Sequence, residues 1–322
     1  MSDPQREAHE RLDGKYEVRV LEPSPPAVDR APWYADDPTA RGSVPQGTRL
    51  VGPTSSADIT WDEMCRKTAN LREWCADRWL GGWRRISSPP PGFHATRDAL
   101  HVLAEHVLAP ARYLSTGRIG LRYTYRGFGT PFFGADEQLR IDRTVIVHQR
   151  GPQESRTSIS TAAVAAGFVG IPCGAPTEVY EPNTDLEPDS ELTVDPVCSA
   201  YFGDLIGFGT GILEELRARA TDDERCSRVQ LWPEHFDLAF ELGNEAREER
   251  AAYGLSPGDQ DHHDPYLYIA TWSDAPDDPW WNARSFKGAR CDLSRLIEAA
   301  DQRAVAIDFF EEGRRRLRNR AS

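Results

Sequence analysis

DPVCSAYFGDLIGFGTGILEELRARA, residues 195–220, is the stretch on which the fold turns. Gly207, Gly209 and Gly211 precede the run ILEEL, and a glycine-rich turn opening a helix is how dinucleotide-binding folds hold a pyrophosphate. The spacing does not support that reading. A G-x-G-x-x-G fingerprint begun at Gly207 needs glycine at 212, where Ile212 stands, and no G-K-[ST] follows to make a phosphate loop. A single long helix accounts for the same residues. Asp195-Pro196 pairs a good N-cap with the residue favoured at the first helical position. Val197, Tyr201, Leu205, Phe208, Ile212 and Leu216 keep helical spacing throughout. Gly203, Gly207 and Gly211 fall four apart, which makes a small-residue face for close packing. The stretch predicts a buried helix and no nucleotide loop.

Outward from it, the chain alternates helical and period-two patterns. TRDALHVLAEHVLAPARYL (96–114) reads as a helix with Thr96 as N-cap and Leu100, Leu103, Ala104, Val107 and Leu108 on one stripe, kinked or ended by Pro110. RIGLRYTYR (118–126) alternates, Ile119, Leu121, Tyr123 and Tyr125 against Arg118, Arg122, Thr124 and Arg126. QLRIDRTVIVHQR (138–150) holds one or two strands, and SISTAAVAAGFVG (158–170) a short helix. Beyond the central helix, SRVQLW, HFDLAFEL and PYLYIATW read as strands, and NEAREERAAYG as a short helix or turn. The last helix is capped by Asp301, with Ala306, Phe309, Phe310, Gly313 and Leu317 inward and arginines at the negative end of its dipole.

The class that follows is α+β, with mostly antiparallel sheets and helices on one face. Residues 96–170 and 196–318 both run helix, strands, helix, which suggests two related α-β-β-β-α halves. The organisation is an extended Pro-rich arm over 1–58, a first α+β half over 59–176, an acidic Pro-rich linker over 177–195 and a second half over 196–322. The arm is without periodicity and has Trp33 and Tyr34 as its anchors; the first half opens with a helix over SADITWDEMCRKTANLREWCADRWL (56–80).

Composition limits the partners. A net charge of -13 argues against nucleic acid and against anionic membrane surfaces. Mean hydropathy is -0.58 and no stretch reaches eighteen apolar residues, so a cytoplasmic location with reduced thiols is expected. Cys65, Cys75, Cys173, Cys198, Cys226 and Cys291 are scattered with no C-x-x-C, and no metal or cofactor is expected. Basic residues are almost all arginine, a high-GC coding signature.

The candidate site comes from two stretches, LWPEHFDLAFELG (231–243) and SPGDQDHHDPYLYIATW (256–272). Alternation puts Phe236, Leu238, Phe240 and Leu242 on one face, so His235, Asp237 and Glu241 share the other. A histidine and a carboxylate two apart on a strand lie roughly 7 Å apart at Cα, a gap that a substrate or water spans. Tyr266 and Tyr268 share a face of the later strand, and pairing of the two strands would bring His263 to the edge of the surface. Rings with polar tips commonly line ligand pockets. Trp280 and Trp281 in DDPWWNARSFKG, followed by Asn282, are costly to leave exposed and either plug a core or floor a pocket. Arg122, in the arginine row, suits a carboxylate or phosphate. The plainer alternatives are a structural His235, a turn at 256–265 and a solvated arginine face. No HxH, HxxxH or HExxH spacing supports a metal site, and no G-x-S-x-G supports a serine nucleophile.

The blocks GRIGLRYTYRGFGTPFFG, LWPEHFDLA, YGLSPGDQDHHDPYLYIATW and WWNA resemble those of an uncharacterised family of high-GC Gram-positive (actinobacterial) bacteria, over roughly residues 95–318. The family carries no known activity, so the resemblance implies no catalytic residues. Its single His followed by an acidic residue and Pro-Tyr matches His263-Asp264-Pro265-Tyr266.

The resulting expectation is a soluble protein that binds a small polar or anionic molecule between two halves. His235, Asp237 and His263 would do any chemistry, and Tyr266, Tyr268, Trp281, Asn282 and Arg122 would contact the ligand. The alternatives are a metal-free acid–base enzyme using His235 and Asp237, and a structural or interaction protein without a small-molecule site. Deletion of residues 1–55 is expected to leave the thermal transition nearly unchanged; a large drop in Tm would place Trp33 and Tyr34 in the core.

Overall fold

The computed structural model describes residues 86–319 apart from 125–126, 132, 134–136, 151–152, 222 and 276. The expected arm over 1–58 and the helix over 56–80 lie outside the described residues.

The described chain opens with α1 (Phe93–Leu103), widens into a π-helical turn (Ala104–Leu108) and continues as α2 (Ala109–Thr116). Thr96 is not the N-cap: the helix starts after Gly92, whose φ of 84° only glycine adopts freely. Thr96 Oγ1 instead accepts from the Asp195 N–H at 3.1 Å, tying α1 to the start of the central helix. Pro110 neither ends nor breaks the helix. It has no N–H to offer the His106 carbonyl, and the N–H of Gly174 takes that acceptor at 3.1 Å.

β1 (Arg122–Thr124), β2 (Gly127–Gly129), β3 (Glu137–Asp142), β4 (Val145–Arg150) and β5 (Gln153–Ser158) form a five-stranded antiparallel meander, followed by α3 (Ala162–Val169). Then comes α4 (Pro196–Ala218), the predicted buried helix, with the Asp195 carboxylate accepting from the N–H groups of Val197 and Cys198. A second antiparallel sheet holds β6 (Arg225–Cys226), β7 (Gln230–Trp232), β8 (Asp237–Gly243), β9 (Ala251–Ser256), β10 (Tyr266–Thr271) and β11 (Gly288–Asp292). Its order is β11-β10-β9-β8-β6, with β7 also paired to β8. The chain closes with α5 (Leu293–Glu298) and α6 (Gln302–Arg318), which Asp301 caps. The protein is α+β with mostly antiparallel sheets.

The two sheets meet edge to edge: Leu121 and Leu231 exchange backbone hydrogen bonds of 2.7 and 2.8 Å. Helix α4 packs against β1 and β2 of one sheet and β8 and β9 of the other. Glycines let it do so. A Cβ on Gly207 would stand 3.0 Å from the Tyr123 ring, and one on Gly209 would stand 3.1 Å from Leu238 and Leu255. Tyr201, Leu205, Phe208, Ile212 and Leu216 are buried as their spacing requires, whereas Val197, in the first turn, is 63% exposed. A single apolar cluster runs from Ile86 to Leu317 and draws on both halves of the chain. The segment 177–195 crosses the surface of this body, and Val179 and Tyr180 are buried against Ile119, Trp232 and Ala239. Both halves run helix, strands, helix, but the first sheet is a plain meander while β6 and β7 both lie along β8.

Strand β9 departs from the expected helix or turn. It lies at the centre of its sheet and is buried on both faces, so AAYGLS shows no alternation. Gly209→Leu, which forces a side chain between α4 and β9, is expected to lower unfolding free energy by about 1–3 kcal/mol or more. Val197→Ala on the same helix is expected to stay within about 0.5 kcal/mol. Urea unfolding monitored by circular dichroism compares the two.

Candidate functional site

Strands β7 and β8 are joined by the turn Pro233–Glu234–His235–Phe236. Phe236 has φ 51°, a left-handed conformation that an aromatic residue adopts only when its surroundings impose it. Its ring is stacked between His101 (4.9 Å, 4°) and Phe202 (4.8 Å, 12°), with Phe128 edge-on at 5.3 Å. Locked in this way, the turn buries Glu234 and leaves His235 exposed. His235 therefore belongs to the turn and not, as expected, to the polar face of β8.

On β8 itself the expected alternation holds: Phe236, Leu238, Phe240 and Leu242 join the main core, while Asp237, Ala239 and Glu241 face away. The expected pairing of β8 with the tyrosine-bearing strand does not occur, because β9 runs between them in the register Ala239–Gly254–Tyr268. Gly254 makes the separation passable. A Cβ there would overlap the Tyr268 ring, so with none present the ring lies over β9 and its hydroxyl donates to Asp237 Oδ2. Tyr266, on the same face of β10, donates to Asp259 Oδ2 at 2.6 Å. Burial first, and then these carboxylates, hold both phenols above their ordinary range, so they stay protonated donors at neutral pH. The other Asp259 oxygen accepts from the N–H groups of Asp261 (2.8 Å) and His262 (2.7 Å) and shapes the loop.

Helix α1 and the segment around 183–185 form the opposite wall. His101 Nε2 donates to the Pro233 carbonyl at 2.8 Å, and burial pushes its imidazole down to about 3, so it is neutral. In the π-helical turn, the fully buried Glu105 accepts from Asn183 N–H (2.9 Å), Thr184 N–H (2.8 Å) and the Thr184 hydroxyl (2.5 Å). His106 Nδ1 accepts from the Ala175 N–H at 3.1 Å, which leaves its Nε2 as the protonated nitrogen facing Thr184 at 3.0 Å. The Asn183 amide in turn donates to the Glu234 carbonyl.

Between these walls lies a cavity of about 580 Å³. Four of the expected residues line it together: His235, Asp237, Tyr266 and Tyr268. With them are Arg97, Asp98 and His101 from α1, Asn183, Thr184 and Asp185 from the crossing segment, Glu234 from the turn, and Asp259 and Asp261 from the loop. The expected orienting partnership of Asp237 with His235 is replaced by the bond from Tyr268.

His263, Trp281, Asn282 and Arg122 do not line the cavity. The His263 carbonyl turns toward Arg97 Nη1 (3.2 Å), which sends its ring to the exposed side, 5.6 Å from His94. Trp281 meets Trp280 edge-on at 4.8 Å, and Trp280 stacks on Phe309 of α6, so the pair covers the core. Asn282 spans the backbone of Arg290, accepting from its N–H at 2.8 Å and donating to its carbonyl at 3.2 Å, and so pairs the edge of β11. Arg122 is buried in the other sheet, opposite Gly129.

Glu234 is the residue that the alternation argument passed over. It is 4% exposed, and its Oε2 has no hydrogen-bond partner among the described residues. Burial pushes its carboxyl up to about 7; His235 opposes the shift, while Asp237 and Glu105 add to it. Pro233 ahead of it was the available signal, since proline there ends the strand pattern one residue earlier. Among the described residues, no three His, Cys, Asp or Glu side chains stand close enough to hold a metal ion, and Cys173, Cys198, Cys226 and Cys291 are not joined in disulfides. No described helix is long and apolar enough to cross a membrane.

Comparison with known proteins finds no family model, no curated protein and no solved structure that matches this chain.

The pH dependence of folding tests the state of Glu234. Its native pKa lies above the unfolded value of about 4.5, so the folded chain holds the extra proton between the two values. That contribution is full below about 4.5 and is lost as pH rises through about 7. Glu234→Gln should therefore gain stability over the wild type from pH 5 to pH 8, by on the order of 2–3 kcal/mol. Chemical unfolding at the two pH values measures it; a gap that does not change with pH would refute the assignment.

Proposed function

We propose that this protein binds a small polar molecule in the cavity between α1, the 183–185 segment and the 233–237 turn. The observation that carries the reading is the enclosure of about 580 Å³ by side chains that converge from four separate parts of the chain. Small-molecule sites run roughly from 300 to 1,000 Å³ and combine aromatic walls with a few fixed polar groups. Tyr266 and Tyr268 supply such walls, and Asp237 and Asp259 hold their hydroxyls in place.

The rest of the proposal follows the composition. The net charge of -13 and the carboxylates of the cavity favour a small molecule over nucleic acid as partner. Free cysteines suit a cytoplasmic protein. Kinship with the actinobacterial family belongs to the same proposal and rests on the quoted sequence blocks.

One observation favours a second reading, an acid–base enzyme. Glu234, pushed up to about 7, is present in both protonation states near neutrality, which suits general acid–base work. In that reading Glu234 takes the place first assigned to the His235–Asp237 pair, because Asp237 is engaged by Tyr268.

A fragment screen by ¹⁵N NMR on the full chain tests the binding reading. Binders are expected to shift the amides of residues 234–237 and 266–268. Gly254→Ala, which displaces the Tyr268 ring, should weaken them by about tenfold, the worth of one hydrogen bond to a charged group. A diverse set that yields no binder at these amides would sink the reading.

A further inference from the structure

The charges of the cavity indicate what kind of molecule it takes. Asp98, Asp185, Glu234, Asp237, Asp259 and Asp261 line it against a single guanidinium, that of Arg97. Arg97 is already committed: two of its nitrogens lie 2.8 Å from Asp98 Oδ1 and a third donates to the His263 carbonyl. His101, spent on the Pro233 carbonyl, offers no charge. Of the basic side chains in the lining only the exposed His235 is left for an anionic ligand, against several carboxylates.

Acidic walls alone would say little, since solvated carboxylates are common on a protein of this charge. Glu234 is different. It is 4% exposed, lines the cavity, and leaves Oε2 without a hydrogen-bond partner among the described residues. A buried carboxyl oxygen left unsatisfied is costly, and a cation brought beside the group recovers part of that cost. Three donor side chains with metal-ligand geometry do not occur among the described residues, which favours an organic cation over a metal ion. Tyr266, Tyr268 and Phe286 in the lining supply aromatic surface that tolerates a cation.

We propose that the ligand is an organic cation of the amine or guanidine class, seated with its charged group against the Glu234 carboxyl. This rests on the cavity being a ligand site. A consequence is proton release on binding. The groups facing Glu234 are His235 and Asp237 beside it in the chain, Glu105 from the helix opposite, and Tyr180 from the crossing segment. Burial holds Glu234 at about 7, and an arriving cation favours its ionised form. The complex therefore carries fewer protons than the free protein near pH 6.5, and affinity rises with pH until Glu234 is ionised in both.

The test uses matched triplets on one skeleton: tyramine, 4-ethylphenol and 3-(4-hydroxyphenyl)propionate, and likewise agmatine, N-butylacetamide and valerate. Binding to the full chain is followed by ¹⁵N NMR at residues 234–237 and 266–268, with titration calorimetry in buffers of different ionisation enthalpy. The expected result is that only the cations shift these amides and that they release protons at pH 6.5. Glu234→Gln should weaken them at least about tenfold, as for loss of one partner of a buried charge pair, and abolish the release. Should Glu234→Gln fail to fold, Asp185→Asn on the exposed segment takes its place. It should weaken cation binding by about two- to fivefold and flatten its salt dependence. Neutral or anionic members binding in the cavity while the cations do not would overturn the cation assignment and leave the ligand site standing. Cations that bind there equally well to Glu234→Gln, with no proton release, would overturn the role of Glu234. No member of either triplet reaching these amides overturns the cation assignment, and the broader fragment screen then decides the ligand site separately.

Discussion

Helix α4 has to touch two sheets at once, and the rest of the molecule is arranged around that demand. A helix with side chains all round would hold the sheets at ordinary packing distance on each side. Gly207 toward Tyr123 and Gly209 toward Leu238 and Leu255 remove the spacing on both faces. The backbone bridge between Leu121 and Leu231 then joins the sheets into one wrapping surface. Close approach raises the dispersion gained per residue and keeps water from the seam. Each glycine costs roughly 1 kcal/mol of helix propensity against alanine, which the packing must exceed. Tertiary contact, not local preference, decides this helix.

The cavity is a by-product of how that wrapping ends. At the Leu121–Leu231 seam the chain turns from β7 into β8, and Phe236 is drawn into the core between His101 and Phe202. Its left-handed backbone forces the preceding residues into a tight turn, with Glu234 inward. Across the sheet, the bare backbone of Gly254 lets Tyr268 reach over β9 to Asp237. Pro110 contributes from a distance. By leaving the His106 carbonyl free, it gives the crossing segment a place to dock, and that segment becomes a wall.

How much of this was legible depended on which physical signal each part carried. Alternation of apolar and polar residues announces a strand, so β1 and β8 could be read directly although both are buried throughout. Helices α4 and α6 were legible through caps and period. Strand β9 is buried on both faces and made of small residues, a pattern that mimics a turn. Its insertion was invisible, and the pairing of β8 with β10 failed for that reason. His235, Asp237, Tyr266 and Tyr268 were picked as polar residues beside apolar runs, and the cavity collects them. Glu234 was missed because strand alternation does not extend into a turn. Nothing local to His263 shows that its carbonyl, and not its ring, faces Arg97. Asp185 sits in a segment whose composition resembles a linker, and long-range bonds to Glu105, His106 and Glu234 hold it in place.

Two unfavourable features therefore meet in one turn, a strained backbone at Phe236 and a buried, unpartnered carboxyl oxygen at Glu234. Glutamine at 234 would keep the shape without the ionisable group, and glycine at 236 would remove the strain. The stacking of Phe236 explains its own conformation, because burying an aromatic ring outweighs the roughly 1–3 kcal/mol of an unfavourable backbone. No comparable contact explains Glu234. His235 favours its charge, while burial, Asp237 and Glu105 make that charge harder to form. Under the proposed reading, the molecule held in the cavity balances this group, which is one of those that line it.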